Sequence, residues 1–232
     1  ELEEGLAEAE SLHQRGDLVG AVRLLVELSR RGQLFEESAA LFLKLGIILY
    51  ELKFYERSIT AFRHVTRIDS THANAFLRLG AAQHFSGDLA GACESYERCV
   101  ELNPKSPAAH MNRGLTLFGL ERHSEALESL QHAADLAAHD SNTWANLAVV
   151  QSTMGLFDEA LQSVARVDSL EAGHAGAQLT RAQIDLLRGR FEEGWKGYAA
   201  RHSVRQLTEH TRVSTPPWSS LRPRPAVGRN PA

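Results

Sequence analysis

Apolar residues in this chain recur at helical spacing, three or four apart, and the runs are cut by Gly-Asp and Asn-Pro pairs. The stretch GDLAGACESYERCVELNP, residues 87–104, is one complete phrase of the pattern. It opens on a helix-stopping glycine, continues through an amphipathic run and closes before a proline. With the residues ahead of it, it predicts two helices. The first covers about 73–86 and stops at Gly87; the second is capped by Asp88 and runs to about Leu102. The same phrase returns along the chain. Small residues that follow the turn stand at Ala21, Ser58, Ala92, Ala126, Ala160 and Gly194, spaced 37, 34, 34, 34 and 34 apart. A second series lies twelve positions earlier, at Ala9, Gly46, Gly80, Gly114, Ala148 and Ala182, and keeps step with the first. A fixed period of this length marks a repeat architecture built from helical hairpins.

Both series have one physical reason. The two helices of a hairpin approach closely only where neither carries bulk. Larger side chains then wedge around the crossing: Leu25, Phe62, Tyr96, Leu130, Val164 and Tyr198 on the second helices, Phe42, Phe76 and Trp144 on the first. A single hairpin cannot bury its apolar face, so the units must stack. The string Phe76, Leu79-Gly80, Gly87-Asp88, Ala92, Tyr96, Cys99, Pro104 resembles the tetratricopeptide repeat family, and six in-register copies carry the resemblance over roughly residues 2–204. It implies an all-α fold, a right-handed superhelical solenoid of about six helix-turn-helix units near 2–38, 39–72, 73–106, 107–140, 141–174 and 175–204. Some positions depart from the pattern. Glu121 stands where the fourth unit needs its inter-helix glycine, Arg113 and Arg181 replace a leucine, and Gly194 interrupts a helix at about 1 kcal/mol relative to alanine. Extra residues near Arg31–Gln33 lengthen the first unit.

Composition narrows the function. The chain has 232 residues, 43% hydrophobic and 23% charged, with no apolar run long enough for a membrane span. The net charge of −4 conceals an asymmetry: 201–232 holds six Arg and one Glu, while the rest holds 19 basic and 28 acidic side chains. No basic stripe crosses the body, which argues against nucleic acid as a partner. Cys93 and Cys99 lie on one helix, too far apart to bridge, which fits a reducing, cytoplasmic setting. The histidines form no HExxH motif and no i, i+4 pair, and neither GxSxG nor a phosphate loop is present. The expectation is a non-catalytic chain without metal or cofactor.

What remains is a surface. The family resemblance implies that the first helices line a concave groove, with inward positions at Lys44, Ile47 and Tyr50, then Asn74, Arg78 and His84, then Met111, Asn112 and Phe118, then Asn142 and Asn146. In the last unit they are Leu179, Thr180 and Gln183. Lys44, Arg78, Asn112 and Asn146 share one row. An asparagine amide can pair with both polar groups of a peptide unit, and the pair looks like the asparagine ladder of the O-linked N-acetylglucosamine transferases. Lys44 with Arg78 offers a clamp for a carboxylate. Met111 and Phe118 fall outside the packing positions and are expected to be exposed, while His110 is expected to pack.

The end of the chain adds a further expectation. The run LLRGRFEEGWKGYAAR, 186–201, followed by TPPWSS, 215–220, resembles the closing repeat of bacterial proteins whose repeat arm precedes a sugar-transferring domain. Alternatively, Trp195 and Tyr198 simply cover the last hairpin. Residues 205–213 could cap the stack, with a basic, disordered tail beyond. Three functions follow: an adaptor that holds a protein or extended peptide in the groove, the substrate-presenting arm of a glycosyltransferase, or a self-assembling scaffold.

Overall fold

The computed structural model describes residues 2–30 and 38–198. Within them lie twelve α-helices and no strand. They form six consecutive hairpins: α1 (Leu2–Gln14) with α2 (Leu18–Ser29), α3 (Ala39–Glu51) with α4 (Tyr55–Ile68), α5 (Ala73–Ser86) with α6 (Leu89–Leu102), α7 (Pro107–Gly119) with α8 (His123–Leu136), α9 (Ser141–Thr153) with α10 (Phe157–Leu170), and α11 (Ala175–Leu187) with α12 (Phe191–Gly197). The molecule is a helical solenoid. The first helices of the second to sixth hairpins touch one another in series, whereas successive second helices do so at most marginally. That asymmetry curves the stack and puts α3, α5, α7, α9 and α11 on its inner side.

Local chemistry sets the hairpins. Gly87 ends α5 at φ 95°, and the neighbouring Asp88 carboxylate accepts the Gly91 backbone N–H at 2.9 Å. Ser106 caps α7, with Pro107 at its first turn. The second and fourth hairpins make the same turn without glycine, so Lys53 and Glu121 take φ 62° and 61°. A side chain in this left-handed region costs about 1 kcal/mol or more.

The small-residue series mark the helix contacts, and the structure adds a correction to how they work. The glycines of the first helices lie beneath bulk rather than beside another small residue. A Cβ on Gly46 would stand 2.6 Å from the Phe62 ring, and one on Gly80 2.7 Å from the Tyr96 ring. On Gly114 it would meet Leu130 at 2.7 Å. Where the second helix carries Val164 or Leu25, the first carries alanine, Ala148 or Ala9. In the second to fifth hairpins recess and wedge are thus matched in size: glycine lies under a ring or leucine, and alanine accompanies valine. Gly194 follows the same logic: a methyl there would press on Leu186 at 2.7 Å and the Ala182 carbonyl at 3.0 Å, which explains a glycine inside α12.

Polar groups cross the same contacts. Ser58 donates to the Gly46 carbonyl at 2.8 Å and Ser129 to that of His110 at 2.9 Å. Ser95 and Ser163 donate to the buried amide oxygens of Gln83 and Gln151. Cys93 and Cys99 are buried free thiols. His110 packs as expected, with Nε2 2.9 Å from the Pro104 carbonyl. Residues 31–37, with the added residues of the first unit, and everything from 199 on, including the TPPWSS stretch and the expected capping segment, lie outside the described residues.

Candidate functional site: a cleft on the inner wall

The inner wall draws its side chains from the exposed faces of the first helices. The middle of the wall holds a cleft of about 260 Å³, and Tyr50, Asn74, Arg78 and Asn112 of the residues expected on the wall line it. Tyr50 of α3, Asn74, Leu77, Arg78 and Ala81 of α5, and Asn112 of α7 line it, with Phe62 as a further lining residue. Phe62 was read from the sequence only as a packing wedge. Ile47 packs at one side, half-buried with Tyr50 against Ile59, Phe62, Leu79 and Ala82.

Arg78 is the unusual member. Its Nε is buried and has no hydrogen-bond partner. The guanidinium forms no ion pair among the described residues. Tyr50 is half-buried beside it: burial pushes the phenol pKa up, and the Arg78 charge opposes that shift. A cation with an unsatisfied, desolvated donor is poised for an anionic acceptor, since a buried unpaired polar group costs about 1–3 kcal/mol.

Lys44 does not join Arg78 in a clamp. Its ammonium is paired with the Glu10 carboxylate of α1, which holds the Glu10 pKa below its ordinary value. The two-cation clamp expected from the sequence is therefore reduced to a single arginine flanked by asparagines. Asn74 is exposed, and Asn112 is half-buried at the far side of the cleft. Asn146 is half-buried one unit further on and does not line it. Asn142 is exposed at the start of α9, and its amide oxygen lies 3.3 Å from His174 Nε2.

His84 is anchored. Thr116 donates to the Asn112 carbonyl at 2.8 Å, so its single hydroxyl proton is committed, and His84 Nδ1 at 3.0 Å acts as donor to the Thr116 oxygen. Burial lowers the His84 pKa, which keeps the ring neutral at pH 7.

Met111 and Phe118 differ from expectation. Both are half-buried against the cluster of Leu117, Leu130, Leu147 and Val150. Met111 sulfur lies 3.4 Å from the Thr143 hydroxyl, whose proton goes to the Asp140 carboxylate, and Phe118 lies 5.2 Å from the His123 ring. Position outside the helix-crossing residues did not imply exposure, because the next hairpin covers them. In the last unit, Leu179 and Thr180 are likewise buried. Among the described residues no group of three or more His, Cys, Asp or Glu side chains could hold a metal ion, and no helix is long and apolar enough to cross a membrane.

A curved stack of helical hairpins with an open inner wall defines a class of interaction proteins. Two tetratricopeptide repeat families match the sequence, over residues 73–141 and 5–27. Tetratricopeptide repeats are therefore present over those residues, and the fold of the chain is that of tetratricopeptide repeat proteins. The BBSome complex member BBS4 of Bos taurus is 25% identical over 146 residues, 63% of this chain and 28% of that protein. The matched part spans less than a third of the length of the curated relatives. A tetratricopeptide repeat protein of Parabacteroides merdae superposes with a TM-score of 0.75 at 17% identity, covering 88% of this chain and 78% of its own. YrrB, described as a TPR protein with an unusual peptide-binding site, superposes at 0.63 and 19% identity, with 81% and 97% covered. At these identities the superpositions concern the fold alone.

Proposed function

We propose that this chain is a non-catalytic protein-interaction scaffold that holds an extended segment of a partner protein along its inner wall. One observation carries the reading: the buried Nε of Arg78 has no partner, and it belongs to a cleft flanked by Asn74 and Asn112. Such a cleft suits an acidic side chain, with the Asn112 and Asn146 amides pairing with the main chain of the bound segment. A peptide-binding site in a protein of the same fold, YrrB, supports the assignment. The two free thiols suit a reducing compartment such as the cytoplasm.

The test is affinity capture and cross-linking from native lysate with wild type, Arg78→Ala and the double variant Asn112→Ala, Asn146→Ala. Partners that bind the groove are lost from both variants while helicity and melting stay unchanged. Partner recovery equal to wild type in both variants rejects the groove.

A second reading is a self-associating scaffold. It rests on the apolar end of the stack, where Leu187, Phe191 and Trp195 are 69%, 62% and 58% exposed.

A further inference from the structure

A second cleft, of about 600 Å³, lies at the rim of the solenoid where the α3–α4 turn meets the end of α5. Lys53, Phe54, Tyr55, Glu56, Arg57, Phe85 and Ser86 line it. Aromatic rings join it to the central cleft. Tyr55 and Phe85 stack with centroids 5.7 Å apart, and Tyr50, which lines the central cleft, meets them edge-on at 5.7 and 5.8 Å. A continuous aromatic surface therefore leads from Arg78 over the rim.

Two adjacent positions shape the turn that builds this cleft. Lys53 takes the left-handed conformation that glycine supplies at Gly16, Gly87, Gly155 and Gly189. Phe54 occupies the N-cap of α4 and makes no capping bond; Arg122, Leu156 and Arg190 likewise stand uncapped at the starts of later second helices, whereas Asp17 and Asp88 cap theirs. It is 51% exposed, and the Arg57 guanidinium lies 5.6 Å from its ring centre. The fourth hairpin repeats the left-handed residue at Glu121, but its N-cap residue, Arg122, pairs with Glu125 and leaves no exposed ring. Among the described residues, then, Lys53-Phe54 is the turn that joins a left-handed non-glycine residue to an exposed ring and a nearby cation. Departures of this kind concentrate where a surface is used.

Charge identifies the occupant. Lys53, Arg57 and Arg78 form no ion pair among the described residues, and Glu56 is the one carboxylate among the lining residues of the two clefts. We infer that the two clefts form one recognition surface for an acidic segment of a partner protein that carries an aromatic residue. The carboxylate sits at Arg78, and the aromatic side chain enters the rim cleft among Phe54, Tyr55 and Phe85. This rests on the groove reading for its acidic half and on the rim cleft for its aromatic half. Ring-on-ring and cation-on-ring contacts favour an aromatic residue over an aliphatic one there.

The probes are short fluorescein-labelled peptides of Asp, Gly and Ser that carry one Phe, with the Asp-to-Phe spacing varied. Each is paired with its Phe→Ala counterpart, and binding to the full chain is read by fluorescence anisotropy. At one or more spacings the Phe peptide binds about tenfold more tightly than its Ala counterpart. The Phe54→Ala, Arg57→Ala protein loses that difference but keeps its affinity for the Ala peptide. Arg78→Ala weakens both peptides alike. No Phe peptide binding better than its counterpart, including no binding at all, overturns the inference. An effect of Arg78→Ala without one of Phe54→Ala, Arg57→Ala also overturns it while leaving the groove reading intact. The opposite pattern, with Phe54 and Arg57 mattering and Arg78 not, keeps the rim cleft and rejects the groove as the acidic site.

Discussion

Glycine on a first helix is a helix-weakening choice that this fold requires. At Gly80 a methyl would stand 2.7 to 3.0 Å from three atoms of the buried Tyr96 ring. Intrinsic propensity alone makes Gly80→Ala stabilising by about 1 kcal/mol. Crowding against the ring opposes this by about 1–3 kcal/mol. The two contributions separate in a double-mutant cycle. Gly80→Ala is expected to lower stability in the wild-type protein and to raise it in a Tyr96→Val background, the Ala-Val combination found at Ala148 and Val164. Urea unfolding of the four proteins measures the coupling, and the same sign in both backgrounds refutes the pairing. At this scale the sequence was only partly legible. The positions of Gly46, Gly80 and Gly114 could be read from the period, but that each lies under a ring or a leucine needed coordinates. The same gap hid Phe62. A residue that wedges two helices apart can also form part of a cleft, and spacing along one chain does not report on both of its sides. The pairing of Lys44 with Glu10 was hidden too, because it depends on which first-unit side chain faces the second unit.

At the scale of the element, the helix ends are held unequally. Asp17 caps α2 through one bond, to the Gly20 backbone N–H at 2.9 Å. Asp88 makes the equivalent bond to Gly91 and also accepts from Gln83 Nε2 at 3.2 Å, while the Gln83 amide oxygen takes the Ser95 hydroxyl. Asp88→Ala therefore removes a cap and unties a partly buried network. It is expected to destabilise by about 2 kcal/mol, against about 1 kcal/mol for Asp17→Ala. Shifts in urea midpoint at unchanged slope measure both, and equal losses would show the Gln83 contact to be idle. Element positions were the most readable part of the sequence, since Gly87, Asp88, Ser106 and Pro107 act through the backbone next to them. The turn at Lys53-Phe54 also left a signal: a lysine and a phenylalanine stand where the first and third hairpins have glycine and aspartate.

Across the whole molecule, stability and contact run from neighbour to neighbour, and the ends differ from the middle. Ion pairs of Arg188 with Asp158 at 2.7 Å and of Arg181 with Asp168 tie the last hairpin to the one before it. The same hairpin exposes Leu187, Phe191 and Trp195 beside the charged Glu192, Glu193 and Lys196. If this end joins a second copy, the apparent mass from light scattering rises with concentration and persists in high salt, because the contact is apolar. Phe191→Glu with Trp195→Glu returns the chain to a monomer. A wild-type protein that is monomeric at every concentration rejects self-association.

The match between recess and wedge has a consequence for how such a chain can change length. The second to fifth hairpins each carry their own bulky residue together with the gap that receives it, sixteen positions apart on the same stretch of polypeptide. A 34-residue segment copied or deleted in phase would bring both halves of that fit along or remove both. Duplication or loss of whole hairpins then preserves the fit inside each one that remains, and only the faces between new neighbours have to be matched afresh.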